Sequence, residues 1–241
     1  MRNKDEMRRN GYYFIGDKKY VSVTTVLQII AKPALITWAA KEAATAAIEN
    51  PEFDVSQSVS AIYQKRDKAG KMGSTIHSLV EAFGNTQKID FSVIPKNILP
   101  YAVAFCAFFS VHKPKIMHTE CTIVNEKEGY AGTPDLIATM SDGLIWLMDY
   151  KTGSGVYDEV KLQLEAYKHG EYIIKKPENT KIALPKIDKM AAIHLKDNGT
   201  FSFIEQQGDF KVFLATKKLW EWFNPEKKGI VENDKVISNN K

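Results

Sequence analysis

The chain has 241 residues, of which 44% are hydrophobic and 26% are charged, a balance typical of globular proteins that excludes wholesale disorder. Its 33 Lys and Arg against 29 Asp and Glu give a net charge of +4, which permits a nucleic-acid partner without arguing for one. The two cysteines are too few for a disulfide framework or a four-cysteine metal site, and because the chain lacks a long apolar run and begins with a polar segment, we expect a cytoplasmic protein with no membrane partner.

The first half of the chain is predicted to be mostly helical. It opens with a hairpin-like strand pair that turns at Gly16-Asp17, two residue types that favour tight turns. An alanine-rich segment after Pro33 has the composition of a helix and ends near Asn50-Pro51. The spacing of apolar residues predicts three further helices, at about 58–68, 74–83 and 96–112.

The hydrophobic pattern then changes from a helical period to the alternation of strands. Three short strands lie within the segments KIMHTECTIVNE, YAGTPDLIATM and LIWLMDYK. A helix from about 158 to 174, a hairpin that turns at Asn198-Gly199 and a helix over 207–223 follow. We therefore predict an α/β fold in which helices flank a mixed central sheet. The chain then divides into an N-terminal strand pair and helical region, a core with the sheet and a polar tail, at residues 1–114, 115–223 and 224–241.

Two aspartates are predicted to face each other across the hairpin of the second and third strands. If its loop is Ser141-Asp142-Gly143, the register places Asp135 opposite Asp149. A two-residue loop at Asp142-Gly143 would shift the pairing by one. Directly opposed residues have Cβ atoms about 4.5–5.5 Å apart, where two like charges destabilise a sheet unless a positive charge lies between them. A divalent cation is one such charge.

A lysine and a glutamate are expected to join this pair. Strand alternation puts Asp149 and Lys151 on one side of the sheet and Tyr150 on the other. The preceding hairpin would bring Glu120 opposite Pro134, next to the first aspartate. Such oxygen ligands suit Mg²⁺ or Mn²⁺, and the lysine would position or deprotonate a water or neutralise charge on a phosphate. Spacing alone also allows a simpler interpretation, a partly buried Asp–Lys salt bridge at a strand end.

Four segments, in this order, resemble the PD-(D/E)xK nuclease superfamily. GSTIHSLVE reads G-x-x-x-H-x-x-x-E, GTPDLIAT and LMDYKTG contain the two halves of the signature, and QLEAY reads Q-x-x-x-Y on a predicted helix. Together they are similar to the RecB-like exonuclease branch, which includes phage exonucleases and the mitochondrial genome maintenance exonuclease. The resemblance covers roughly residues 70–175 and implies a restriction-endonuclease-like core.

The resemblance implies a role for several residues at the metal site. His77 would be a metal ligand or a neighbour of the metal, with Glu81 one turn later orienting its ring. Asp135 and Asp149 would be the principal ligands, and the backbone carbonyl of Tyr150 would add a third oxygen. Lys151 would be the catalytic lysine, and Glu120 would lie near the site.

Five residues are expected to contact DNA or the active site. Gln163 and Tyr167 lie one turn apart on one side of their helix, and the resemblance points them at the active site or the substrate strand, where the tyrosine would stack on a base. Helix packing is the alternative for Tyr167. Ser22, Thr24 and Thr25 lead into a helix whose free N–H groups can hold a phosphate, although capping is the commoner role of such residues.

The predicted function is that of a metal-dependent DNA exonuclease of phage-like type, acting on DNA ends or single strands in replication, recombination or repair. Two alternatives stay open, a structure-specific endonuclease of the same fold and a non-catalytic DNA-binding protein that assists recombination. DNA is the expected partner, and a phage or host recombination protein is a further candidate.

Overall fold

The computed structural model describes residues 7–86, 89–175 and 179–227. Its first strands are β1 (Arg8–Arg9), β2 (Tyr12–Ile15) and β3 (Lys18–Ser22). β2 and β3 pair antiparallel up to Ile15 and Lys18, which lie opposite each other. Gly16 in the turn has a φ of 59°, which glycine adopts without steric cost. The predicted N-terminal hairpin is therefore confirmed.

Three helices follow the hairpin, α1 (Val23–Val26), α2 (Pro33–Glu49) and α3 (Val55–Thr86). α3 is one continuous helix of 32 residues, whereas the sequence predicted two. Gly70 does not break it, because a glycine costs about 1 kcal/mol relative to alanine in a helix and packing against α2 offsets that cost. A capping box fixes its start: the Gln57 N–H donates to Asp54 Oδ1 at 2.7 Å, and the Asp54 N–H donates to Gln57 Oε1 at 2.8 Å.

The second half of the chain contains the other strands and helices. α4 (Leu99–His112) ends at Lys113, which has a left-handed φ of 44°. The elements after it are β4 (Lys115–Thr119), β5 (Thr122–Asn125), β6 (Tyr130–Gly132), β7 (Leu136–Thr139), β8 (Ile145–Lys151), α5 (Glu159–Lys168), β9 (Tyr172–Lys175), β10 (Thr180–Ala183), β11 (Lys189–Leu195), β12 (Phe201–Gln206) and α6 (Phe210–Phe223). A short 3-10 helix, Pro225–Lys227, follows, and the rest of the predicted polar tail lies outside the described residues.

The strands of the described residues form two mixed sheets, where the sequence predicted one. A seven-stranded sheet has the order β1-β2-β3-β6-β5-β9-β10 with β3 and β6 parallel, and a five-stranded sheet has the order β12-β11-β8-β7-β4 with β8 and β11 parallel. The segment KIMHTECTIVNE is two strands because Glu120, with a φ of 48°, bends the chain. β4 therefore joins the smaller sheet and β5 the larger one. The protein belongs to the mixed α/β class.

The hairpin of β7 and β8 has the register predicted from a three-residue loop. Leu136 lies opposite Met148, and Thr139 lies opposite Ile145. Gly143 closes the loop with a φ of 78° and a hydrogen bond from its N–H to the carbonyl oxygen of Met140 at 2.9 Å. This register rules out the shift by one residue that a two-residue loop would cause.

α5 is shorter than predicted, and the segment after it is a strand. The predicted helix over 158–174 ends at Lys168, and β9 then pairs with β5, with Tyr172 opposite Val124. Gly170 sits so close to Ile123 that a Cβ there would lie 2.0 Å from Ile123 Cγ2. Pairing with a distant strand thus overrides the local helical pattern. β10, which pairs with β9, was not predicted.

Alternate residues of β8 enter two different hydrophobic clusters, one on each face of the five-stranded sheet. Leu147 packs with residues of α5 and α6, whereas Trp146, Met148 and Tyr150 pack with residues of α3 and α4. Residues 149 and 151 follow 147 in the same alternation. Both sheet faces are therefore buried along β8, and its charged residues stand at the strand end.

Within the described ranges, no single helix has the length and apolar composition needed to cross a membrane. Val23–Ile29 and Pro33–Glu49 meet those two criteria only when they are taken together, and they are bent by 79° at the break between them.

Candidate active site

The ends of two neighbouring strands meet the C-terminal half of α3. Asp135 directly precedes β7, and His77 is on α3. Asp149 and Lys151 lie at the C-terminal end of β8. Continuing the register of β7 and β8 by one residue puts Asp135 opposite Asp149. The fold thus brings together side chains that are more than seventy positions apart in the sequence.

Asp135 is the most enclosed carboxylate of the site. Its side chain is nearly buried, Oδ2 accepts a hydrogen bond from the backbone N–H of Tyr150 at 2.6 Å, and Oδ1 lies 2.9 Å from Nδ1 of His77. Burial and the charge of Asp149 raise the pKa of Asp135 to about 6, against the opposing effect of His77. A carboxyl in this position carries its negative charge at a high cost and gains most from a nearby cation.

His77 lies between two carboxylates. Besides its contact with Asp135, its Nδ1 lies 3.3 Å from Oε1 of Glu120. Burial opposes a positive charge on His77, but the carboxylates of Asp135 and Glu120 outweigh it and raise the pKa of His77 to about 11. We assign the proton between Nδ1 and the two carboxylates to His77, because Nδ1 faces both carboxylate oxygens. The side chain of Glu81, expected to orient this ring, lies outside the described part of the structure.

Glu120 reaches the site by a different route from the one predicted. It stands between β4 and β5, and its backbone N–H donates to the carbonyl oxygen of Asp135 at 3.2 Å, so it faces Asp135 and not Pro134. The difference arises because β4 pairs with β7, with Thr119 opposite Leu136 and a bulge between Ile116 and His118. A non-glycine residue with a left-handed φ stores strain of the kind that functional sites often hold.

Asp149 and Lys151 form an ion pair that a glutamine completes. Lys151 Nζ lies 2.5 Å from Asp149 Oδ2, in a geometry that leaves Oδ2 buried without a hydrogen-bond partner among the described residues. Gln163 bridges the pair, since its Nε2 donates to Asp149 Oδ1 at 2.9 Å and its Oε1 accepts from Lys151 Nζ at 3.2 Å. Gln163, which the resemblance points at the active site or the substrate strand, thus lies at this charged pair.

The charge on Lys151 follows from its surroundings. Burial lowers the pKa of Lys151, but the adjoining carboxylates, Asp149 first and then Asp135, raise it by more, so that it lies above the ordinary value. Lys151 is therefore an ammonium ion at neutral pH. In this arrangement it can donate hydrogen bonds and neutralise negative charge, and it cannot accept a proton.

The two tyrosines of the predicted site are both buried. The backbone N–H of Tyr150 serves Asp135, while its ring is buried with Phe105 and Phe108 on the opposite face. The role of its carbonyl oxygen as a metal ligand stays a prediction. Tyr167 is 2% exposed, so it offers no face to a base; its hydroxyl accepts a hydrogen bond from Gln163 Nε2 at 3.1 Å. The packing alternative is therefore the one that the structure supports for Tyr167.

Of the three hydroxyl residues predicted to lead into a helix, Ser22 directly precedes α1, and Thr24 and Thr25 lie within it. Ser22 Oγ and Thr24 Oγ1 are hydrogen-bonded at 2.9 Å. Ser22 is buried and makes no capping hydrogen bond, and α1 is only four residues long. Thr25 lies under Gly11, where a Cβ would stand 2.6 Å from its Oγ1. Thr24 is the one of the three that lines a cleft of about 290 Å³ together with Lys151 and Gln163.

Some residues near the site carried no sequence signal. Arg8 donates to Thr24 Oγ1 at 3.0 Å, and the Tyr13 hydroxyl is hydrogen-bonded to Thr133 Oγ1 at 2.9 Å. His194 lies opposite Lys151 across the parallel pair of β11 and β8. The partial motif GTPD could have pointed to Thr133, but Arg8 and His194 depend on strand pairings that no local pattern encodes.

A possible metal-binding group contains His77, Glu120 and Asp135. Each offers one ligand atom, and the three atoms lie within 4.8 Å of one another. Of the four predicted ligands, His77 and Asp135 belong to this group. Asp149 lies opposite Asp135 when the strand register is continued, and it pairs with Lys151. The N–H of Tyr150 donates to Asp135. Glu120 replaces Asp149 as the second carboxylate of the group.

No protein-family model matches the sequence, and comparison with the curated proteins also gave no match. The functional interpretation therefore depends on the geometry of the residues described above.

Proposed function

We propose that this protein is a metal-dependent deoxyribonuclease with a restriction-endonuclease-like core, which hydrolyses phosphodiester bonds at DNA ends or in single strands. The observation that carries the proposal is the convergence of His77, Glu120 and Asp135 with the ion pair of Asp149 and Lys151. His77, Asp135, Asp149 and Lys151 belong to the segments that resemble RecB-like exonucleases, and Glu120 lies outside those segments. An isolated salt bridge accounts for Asp149 and Lys151 and leaves the other three residues unexplained.

The donor set fits Mg²⁺ or Mn²⁺, although the residues themselves do not select one ion. Two carboxylates and an imidazole within 4.8 Å suit Mn²⁺, and Mg²⁺ is commonly held by one or two carboxylates with water and phosphate oxygens. His77, Glu120 and Asp135 would hold the ion, and His77 would give up its proton on binding. When bound, the metal polarises a phosphate oxygen and lowers the pKa of a water molecule.

The chain's own residues would orient the phosphate and balance its charge. Lys151, as an ammonium ion, would donate to a phosphate oxygen and stabilise the negative charge that develops during hydrolysis. Gln163 holds both Lys151 and Asp149, so it fixes the ammonium before substrate arrives. Of the two tasks expected for the lysine, its raised pKa favours charge neutralisation over deprotonation of water.

The decisive experiment is incubation of the purified protein with end-labelled single-stranded and duplex DNA in Mg²⁺, Mn²⁺ or EDTA. We expect degradation with either metal and none in EDTA. Lys151→Ala should reduce the rate by about 10²–10³-fold, as removal of a charge-stabilising donor does in other enzymes. Lys161→Ala, at an exposed lysine of α5, should leave the rate unchanged. If neither DNA substrate is degraded in a metal-dependent way, the proposal is overturned.

A covalently closed single-stranded circle distinguishes the mode of cleavage. An exonuclease leaves the circle intact, whereas cleavage of the circle would reassign the protein to the endonucleases of the same fold. Metal-independent binding of DNA without cleavage would favour the non-catalytic recombination accessory protein.

A further inference from the structure

A second cleft adjoins the site on the far side of the loop that follows β8. The loop begins with Thr152, Gly153 and Ser154, and Gly153 contributes to the walls of both clefts. The first cleft contains Lys151. The second has a volume of about 460 Å³ and lies between this loop, the end of β11 and the hairpin turn after it. The two clefts therefore adjoin at Gly153.

His194 fixes the wall between the two clefts. It lies opposite Lys151 in the parallel pair of β8 and β11, about 4.8 Å away across the sheet, with its side chain on the same face. Its Nε2 is 2.8 Å from the carbonyl oxygen of Gly153. Because a carbonyl oxygen can only accept, Nε2 carries the proton. The contact joins the loop at Gly153 to β11.

Lys196 supplies a positive charge to the second cleft. It follows β11, and its backbone closes the next turn: its N–H donates to the carbonyl oxygen of Thr200 at 2.9 Å, and its carbonyl oxygen accepts from Gly199 at 3.2 Å. The side chain is half-buried and lines the cleft. The ammonium group is therefore carried by an ordered turn, at the same end of the sheet as Lys151.

The other lining groups are those that contact phosphates. Thr152 and Ser154 bring hydroxyls to the cleft, and hydroxyls together with lysine are common partners of the phosphate backbone. The lining contains one carboxylate, Asp197, which is exposed. Burial and then the charge of Asp197 raise the pKa of Tyr101, so this phenol stays protonated as a further donor.

We propose that the second cleft binds a backbone phosphate of a DNA strand, next to the phosphate held at Lys151, through Lys196 and the hydroxyls of Thr152 and Ser154. The inference rests on the proposed function and deepens it, because it makes the substrate a strand that extends past the scissile bond. The strand would cross the loop at Gly153, where the lack of a side chain leaves room for it; a Cβ there would meet nothing within 4 Å.

The test is the salt dependence of binding to a fluorescent oligothymidylate, measured by anisotropy in Ca²⁺, which takes oxygen ligands as Mg²⁺ does. A gel run afterwards verifies that the probe is intact. Loss of one phosphate contact should reduce the slope of log Kd against log salt concentration by about 0.7 for a single strand. We expect this change in Lys196→Ala and the wild-type slope in Lys196→Arg, which keeps the charge.

Lys115→Ala is the matched control, since Lys115 is an exposed lysine that pairs with Thr139 at the opposite end of β7. It should retain the wild-type slope. Thermal unfolding checks that each variant is folded, and Lys196→Gln takes the place of the alanine variant if that one unfolds. A wild-type slope in the neutral Lys196 variant would overturn the assignment of the cleft.

The outcomes also separate the two proposals. A wild-type protein that binds the probe without cleaving DNA in Mg²⁺ or Mn²⁺, with a reduced slope in Lys196→Ala, would contradict the nuclease and retain the cleft. A protein that cleaves DNA while Lys196→Ala keeps the full slope would retain the nuclease and contradict the cleft. A protein that neither binds nor cleaves would contradict both.

Discussion

Tyr167 lies against Gly132 so closely that a Cβ on the glycine would stand 2.1 Å from Cε1 of the tyrosine ring. The contact joins β6 to α5, and the tyrosine hydroxyl in turn accepts a hydrogen bond from Gln163. Gly132 is thus two contacts away from the glutamine that holds Asp149 and Lys151. The absence of a side chain at position 132 is a condition for the position of that glutamine.

Gly132→Ala should displace the Tyr167 ring and disturb Gln163. We expect a loss of about 1–3 kcal/mol in the free energy of unfolding, the range found for overpacked cores, together with a fall in DNA cleavage. Urea denaturation and the DNA assay measure the two effects. Tyr167→Leu in the same chain shortens the opposing side chain. The double variant should therefore lose less free energy of unfolding than the two single variants lose together. Strict additivity would contradict the steric explanation.

Mn²⁺ should stabilise the folded protein through His77, Glu120 and Asp135. A ligand that binds only the folded state adds about 2.7 kcal/mol at a concentration of 100 times its Kd. The midpoint of thermal unfolding should therefore rise with Mn²⁺ and return with EDTA in the wild-type protein. His77→Ala should lose most of the rise. His118→Ala is the control, because His118 lies on β4 and outside the group; an equal loss in both variants would contradict the assignment.

The backbone at Glu120 should favour glycine over alanine. Its φ of 48° costs a residue other than glycine about 1–2 kcal/mol. Glycine avoids this cost, but its extra freedom in the unfolded chain offsets part of the advantage. We expect Glu120→Gly to be more stable than Glu120→Ala by about 0.5–1 kcal/mol in urea denaturation. Both variants lack the carboxylate, so the comparison isolates the backbone. The same pair at Thr119, which pairs with Leu136 in β4, should show the opposite order.

Stability in acid should depend on Glu126. Its ion pairs with Lys18 and Lys181 lower the pKa of Glu126 to about 2, against the opposing effect of burial. A depressed carboxyl pKa stabilises the fold above the ordinary pKa near 4.5, and this contribution is lost as the pH falls towards 2.

Glu126→Gln should therefore be less stable than wild type at pH 7, by about 0.2–1 kcal/mol because the pairs are partly exposed. The difference should shrink as the pH falls below 4.5 and vanish only below pH 2, where the carboxyl is protonated in both states. Urea denaturation at several pH values measures it. Glu52→Gln, at an exposed position, should show no such trend. A difference for Glu126→Gln that does not shrink between pH 4.5 and pH 2 would contradict the electrostatic cause.

The parts of the site that could be predicted from the sequence are those set by local geometry. Alternation along β8 fixes which side Asp149 and Lys151 share, and the turn at Gly143 fixes the register that brings Asp135 opposite Asp149. Both follow from the pleat of a strand and the length of a loop. The distance from Gln163 to Tyr167, one helical turn, is equally local.

The remaining features depend on contacts between distant segments. Glu120 reaches Asp135 because its backbone takes a left-handed φ, which its residue type does not favour. β9 forms because β5 offers a partner, although its sequence also continues the pattern of α5. His194 joins Lys151 through a parallel pair whose strands are separated by a whole helix and two strands. Such pairings are decided by the packing of the complete chain.

Glu120 is also the point at which the chain passes from the five-stranded to the seven-stranded sheet. The carboxylate can reach His77, 43 residues away, only when β4 has paired with β7 and β5 has paired with its own neighbours. Contacts of such sequence separation form slowly, since loop closure must precede them. In a refolding experiment, competence to bind a metal should therefore be among the last properties to return. A signal that responds to metal binding at this position would report when the two sheets dock.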